Sequence, residues 1–277
     1  MSWKKILIVP NVMRLQRRAP KDVSTRWDEY WAGVRETGSH GDVLWDPDSP
    51  VEAQRYLDEL RRHSDLDLPV VDVGCGNGRI TRMLAATFPS AVGVDLAPHA
   101  ISRAEEESRG ISNLTFRALD MTAPAAGRQL AAELGEVNVL VRGVFHILDR
   151  SQRLAMAANL RDLLGRQGTL LLAETNFPGS LLAYLEYLGA TSTWLPKPLE
   201  RAITTGISRP SRFGEAQLAA CFPADQWQLL LAETTCIETV PMRGLDGPET
   251  LPGFLAVLQT RPREMSESSP AASAPRS

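Results

Sequence analysis

Cysteine is scarce in this chain, aromatic residues are few, and neither sign of charge dominates. Each shortage excludes a class of protein. Three cysteines, Cys75, Cys221 and Cys236, stand far apart in 277 residues. An odd number without a C-x-x-C pair argues against a disulfide framework or a zinc site, so no metal is expected. Such usage fits a reducing, cytoplasmic setting. The charge balance is 30 basic against 33 acidic residues, with a pI near 5.9. That exerts no general pull on nucleic acid or on an anionic membrane, and neither is expected as a partner. No apolar run approaches the roughly 20 residues needed to cross a bilayer. Lys4-Lys5 before Ile6-Leu7-Ile8-Val9-Pro10 has the outline of a secretory signal, but the run is too short and Pro10 ends it.

What is present reads as one large soluble domain, 43% hydrophobic and 23% charged. Residues 1–23 are basic and weakly patterned, and a flexible arm is expected there. From 24 to 63 a helical cap is expected. Ser24 serves as N-cap of an aromatic helix with Trp27, Tyr30 and Trp31, and Val51 to His63 forms a second helix. The centre alternates strand and helix. Strands are expected over 69–73, 91–96, 114–118, 137–141 and 169–174. Helices fall over 79–87, 98–108, 129–134 and 151–164. This alternation predicts parallel pairing, because each parallel crossover needs a covering helix. Strands over 227–240 and 253–260 follow, separated by a Pro/Gly loop and suited to an antiparallel edge hairpin. The fold class is therefore α/β, a Rossmann-like doubly wound sheet of seven strands. Residues 177–213 interrupt the rhythm, and 262–277 form a Ser/Pro/Ala tail expected to be disordered.

The chemistry concentrates at strand ends. The first strand runs into Asp72-Val73-Gly74-Cys75-Gly76-Asn77-Gly78, and Arg79 opens a helix. Glycines let a ligand approach the backbone, and the helix start presents free N–H groups. The spacing is G-x-G-x-G rather than the dinucleotide G-x-G-x-x-G, and no phosphate-clamping lysine follows. Asp95 ends the second strand, 17 residues beyond Gly78, where a carboxylate can accept from a ribose diol. Asp120-Met121 follows the third.

In these motifs, and over roughly residues 70–260, the chain resembles the class I S-adenosylmethionine-dependent methyltransferases. The resemblance implies S-adenosylmethionine as cofactor, held by Asp72, Gly74, Cys75, Gly76, Asn77, Gly78, Asp95, Leu96, Asp120 and Met121. Asp72 would face the amino-acid end, Asp95 the ribose and Asp120 the adenine. Arg142 could meet the cofactor carboxylate or an anionic acceptor, or pair with a surface acid. Val144-Phe145-His146-Ile147-Leu148 is similar to the V-L-H-H-L type segment common in small-molecule members. His146 is either a general base or a wall residue, and with no partner identifiable in the sequence the structural role is favoured. Glu174 and Asn176, leaving the fifth strand, point towards the same cleft, and Glu174 is a second candidate base. Trp27, Tyr30, Trp31, His146 and Tyr184 would contact the acceptor. The expected activity is methylation of an O, N or C atom of a small metabolite by a monomer or homodimer. The alternatives are an RNA or protein methyltransferase, and a protein that binds the cofactor without transferring its methyl group.

Overall fold

The computed structural model describes residues 12, 14–17, 19–207, 211–243 and 247–262. Two helices come first, α1 (Val23–Ala32) and α2 (Val51–His63). The alternating body follows: β1 (Val70–Val73), α3 (Arg79–Ala85), β2 (Ala91–Asp95), α4 (Pro98–Glu107), β3 (Leu114–Ala118), α5 (Ala126–Leu134) and β4 (Asn138–Arg142). A 3₁₀ turn (Phe145–Ile147), α6 (Arg150–Leu164) and β5 (Thr169–Thr175) complete it. Then come α7 (Leu181–Tyr187), α8 (Lys197–Thr204), α9 (Glu215–Cys221), β6 (Trp227–Thr239) and β7 (Glu249–Thr260).

Seven strands form one sheet in the order β3-β2-β1-β4-β5-β7-β6. β1 to β5 pair in parallel, and β7 enters antiparallel between β5 and β6. The expected architecture holds, edge hairpin included. β7 begins earlier than its sequence pattern predicts, because Glu249 to Pro252 already pair with Cys236 to Thr239. The chain departs from β1 in both directions, so its glycine loop lies at the switch point of the sheet. Ligands bind there in open α/β folds.

Burial explains why the central strands read as continuous apolar runs. All seven residues of β5 are buried, and Leu170, Leu171 and Leu172 have no exposure. Each such leucine contributes about 1.5–3 kcal/mol on removal from water. Helices cover both faces, which accounts for the two main core clusters. Helix starts obey local chemistry. Asp149 and Gln152 close a capping box on α6. In α1 the cap is Asp22, which accepts from Thr25 N at 2.9 Å, and not the expected Ser24. Within the stretch expected as an arm, Val12 and Leu15 pack on the main core. The remainder of that arm (1–11, 13 and 18) and nearly all of the expected tail lie outside the described residues.

Candidate functional site

The glycine loop turns sharply where β1 ends. Gly74 N and Cys75 N donate to Val94 O at 2.8 and 3.1 Å, tying the loop to β2. Gly76 has φ +55°, and a Cβ there would stand 2.8 Å from the Trp31 ring. A larger residue would meet both the strained backbone and the helix above it. Gly78 has a different task. It caps α3 with φ +74° and backs onto Phe116, away from the cleft.

The acids stand at successive strand ends. Asp72 is buried under the loop and accepts from Thr81 Oγ1 at 2.6 Å. Burial raises its pKa to about 6, against the pull of the Thr81 hydroxyl. Asp95 accepts from Ala97 N at 2.9 Å through one oxygen and from Gly76 N at 3.0 Å through the other. Burial raises it too, opposed by those backbone N–H groups. Each of its oxygens keeps a second lone pair. Asp120 receives Thr122 N and Thr122 Oγ1 on Oδ1, at 2.8 and 2.7 Å. Leu96, Leu119 and Met121 supply an apolar wall between these acids. A carboxylate at each end, a closely approachable backbone and an apolar slot suit a ligand with a cationic end, a diol and a flat base.

The roof is aromatic. Trp27, Trp31 and Trp45 face the cleft, with Trp27 and Trp45 edge-to-face at 5.7 Å. Tyr30 corrects the expectation of acceptor contact. It has no exposure, stacks on Trp45 at 5.4 Å and fills the core of the cap. The helical period is the reason: Trp27 and Trp31, four apart, share the cleft face, and Tyr30 turns inward. Beside them Asp46, which sequence reasoning missed, clamps the loop. It accepts from Asn77 Nδ2 at 2.8 Å, Arg79 Nε at 2.7 Å and Gly38 N at 3.0 Å. An acid in a Gly/Asp/Pro loop carries no sequence signal of this role.

The far side of the cleft turns on one pair. Glu174 is fully buried beneath the 3₁₀ turn. Its Oε1 accepts from Val144 N and Phe145 N at 3.0 and 2.8 Å. Oε2 accepts from His146 N at 3.0 Å and lies 2.7 Å from His146 Nδ1. An ionised carboxylate can only accept, so Nδ1 is the donor of this contact, and in the neutral imidazole Nε2 then presents a lone pair. His146 faces the cleft, and no described residue hydrogen-bonds Nε2. Glu174 is thereby corrected as a candidate base: all its capacity goes into the turn and the imidazole. Asn176 is also turned aside, its Oδ1 taking Arg212 Nε at 2.8 Å.

Arg142 reaches the cleft wall but is held by protein. Glu52 takes its Nε and second nitrogen at 2.7 and 2.8 Å, and the carbonyls of Trp45 and Glu238 take further donors at 3.1 Å. Burial disfavours the Glu52 charge, yet this guanidinium holds the carboxyl below its usual range. The expected contact with a cofactor carboxylate gives way to a buried ion pair. The cleft encloses about 430 Å³ and continues from the loop past Tyr184 into α7 and α8. Among the described residues no cluster could hold a metal ion, and no helix is long and apolar enough to cross a membrane.

Residues 70–168 match the family model described as a methyltransferase domain. A ubiquinone biosynthesis O-methyltransferase of Methylococcus capsulatus is 30% identical over 158 residues, 55% of this chain and 64% of that protein. The match thus spans under two thirds of that relative. A crystal structure of a SAM-dependent methyltransferase from Anabaena variabilis is 26% identical and superposes with a TM-score of 0.72 over 88% of this chain and 98% of that one. The N-methyltransferase NodS of Bradyrhizobium japonicum, solved with S-adenosyl-L-homocysteine, shares the fold at 16% identity. Its TM-score is 0.53 over 86% of this chain and 99% of that one.

Proposed function

We propose that this chain, whose residues 70–168 match a methyltransferase domain, is a class I S-adenosylmethionine-dependent methyltransferase and that it methylates a small-molecule acceptor, with a hydroxyl oxygen as the favoured atom. The observation that carries this reading is the His146–Glu174 pair at the cleft wall, with Nε2 unclaimed by the described residues. The cofactor supplies an activated methyl group on a sulfonium centre. The loop and acids fit it: Asp72 suits an ammonium, Asp95 has lone pairs for a diol, and Leu96, Leu119 and Met121 flank the adenine position beside Asp120.

The chain's own residues then bind, align and hold a proton. His146 Nε2 accepts the acceptor's proton as the oxygen gains its methyl group. Glu174 fixes the tautomer that makes this possible and balances the imidazolium that results. Trp27, Trp31 and Trp45 exclude water from above. The acidic pI favours a small acceptor over nucleic acid, and the sparse, widely spaced cysteines fit a cytoplasmic location.

Calorimetric titration with S-adenosylmethionine, S-adenosylhomocysteine and NADH tests the donor side. Micromolar binding of the two sulfur compounds, and none of NADH, is expected. Formation of S-adenosylhomocysteine with a panel of phenols, alcohols and amines then tests transfer. Failure of both sulfur compounds to bind would withdraw the assignment.

A further inference from the structure

Past His146 the cleft enters the segment between β5 and β6, and the chemistry of its wall changes. Leu181, Leu185 and Leu188 occupy positions i, i+4 and i+7, one face of α7 and its C-terminal end. Leu199 and Ile203, four apart on α8, close the other side. Tyr184 stands among them, 9% exposed, its ring edge-on to Phe177 at 5.4 Å. Its hydroxyl faces an unusual situation. Burial alone acts on it, pushing its pKa up, and no hydrogen bond or neighbouring charge contributes. It is therefore a protonated donor at neutral pH. The residue is packed among these side chains and lines the cleft, and no described residue hydrogen-bonds its hydroxyl, which is open to a ligand there.

Charge defines the limb by its distribution. The two arginines on the described cleft wall are both ion-paired, Arg142 with Glu52 and Arg79 with Asp46. Asp22 is committed to the start of α1, and Asp72, Asp95 and Asp120 lie on the cofactor side. An anionic acceptor would leave water for a wall with no unpaired cation among the described residues, at a large desolvation cost.

We infer that Tyr184 is a specificity-determining residue and that the cleft takes a neutral, largely apolar acceptor with two oxygens. One oxygen is the hydroxyl presented to His146 Nε2. The other accepts a hydrogen bond from the Tyr184 hydroxyl, while the apolar body lies along Leu185 and Ile203. This rests on the methyltransferase reading above and adds the acceptor class to it.

Matched phenols test it without requiring turnover. Meta- and para-butoxyphenol carry a second oxygen. Meta- and para-pentylphenol replace it with a methylene, and para-hydroxybenzoate adds a charge. Each is titrated into the full chain saturated with S-adenosylhomocysteine, following tryptophan fluorescence from Trp27, Trp31 and Trp45. One butoxyphenol is expected to bind about five- to tenfold tighter than its pentyl counterpart, with para-hydroxybenzoate weakest. Tyr184→Phe is expected to erase that preference and to leave pentylphenol affinity, S-adenosylhomocysteine affinity and apo Tm unchanged, since no internal hydrogen bond is lost. A preference that survives in Tyr184→Phe, a lowered apo Tm, or tight para-hydroxybenzoate binding would each overturn the inference. In those cases S-adenosylhomocysteine still binds and the methyltransferase reading stands. Loss of S-adenosylhomocysteine binding in the wild type would remove both.

Discussion

Glu174→Gln is the perturbation that separates a catalytic histidine from a wall histidine. The carboxylate has two faces, each meeting two donors: Val144 N and Phe145 N on Oε1, His146 N and His146 Nδ1 on Oε2. An amide can satisfy only one face. With its oxygen on Oε1's side, its NH₂ faces the His146 N–H, and flipping it moves the conflict to Val144 and Phe145. The imidazole can adapt by accepting a hydrogen bond from the amide N–H at Nδ1, but Nε2 then carries the hydrogen and has no lone pair. Hydrogen bonds to a charged group contribute about 1.5–3 kcal/mol each. One such bond lost, plus one N–H facing another, gives a destabilisation of about 3 kcal/mol, read as a lower urea midpoint at unchanged slope. A positioned base contributes about 10²–10⁴ in rate, so kcat for S-adenosylhomocysteine formation should fall by that factor. S-adenosylmethionine affinity should stay within about threefold, because none of the donor-side acids is touched. A variant destabilised as expected, yet retaining kcat, would refute the argument and return His146 to the wall.

Two further outcomes follow from the buried charges. The raised pKa of Asp72, about 6, means that this group favours the apo fold fully below the ordinary aspartate value of 3.8, and that this contribution is lost as pH rises through about 6. A cofactor ammonium beside it prefers the carboxylate. S-adenosylmethionine should therefore bind more tightly as pH rises through about 6, with proton release below that point. Calorimetry in two buffers of different ionisation heat would show this, and pH-independent affinity without proton release would count against Asp72. Arg142→Met should strand Glu52, whose side chain is 2% exposed, and cost about 3–5 kcal/mol in urea unfolding. The cofactor affinity of the folded variant should change little, and a selective loss of affinity at full stability would restore the cofactor role expected from sequence.

Much of the glycine-loop end of the cleft was legible in the sequence because it depends on local order along the chain. A strand that must be buried on both faces reads as an apolar run, and a turn with positive φ reads as glycine. Gly74 and Gly76, Asp72, Asp95, Asp120 and Met121 therefore declared themselves by where strands end. Their order also implied the sheet, since parallel neighbours require helices between them. Even α6 could be read from Asp149 and Gln152, whose capping box uses only nearby atoms.

The other end of the cleft was decided by contacts between residues far apart in the chain. Glu174 and His146 are 28 residues apart, and only the parallel pairing of β4 with β5 sets one beneath the other. Arg142 meets Glu52 across 90 residues, which converts a candidate ligand into a buried ion pair. Tyr30 and Trp31 are neighbours of one chemical kind, and a helix rotation alone sends one into the core and the other over the cleft. Sequence by itself determined the frame, the glycine loop and the acids around it, because strand periodicity and glycine geometry act within a few residues. Which carboxylate holds an imidazole, which arginine is already engaged and which tyrosine hydroxyl has no partner among the described residues were set only when the sheet closed. Those properties depend on partners that no local pattern specifies.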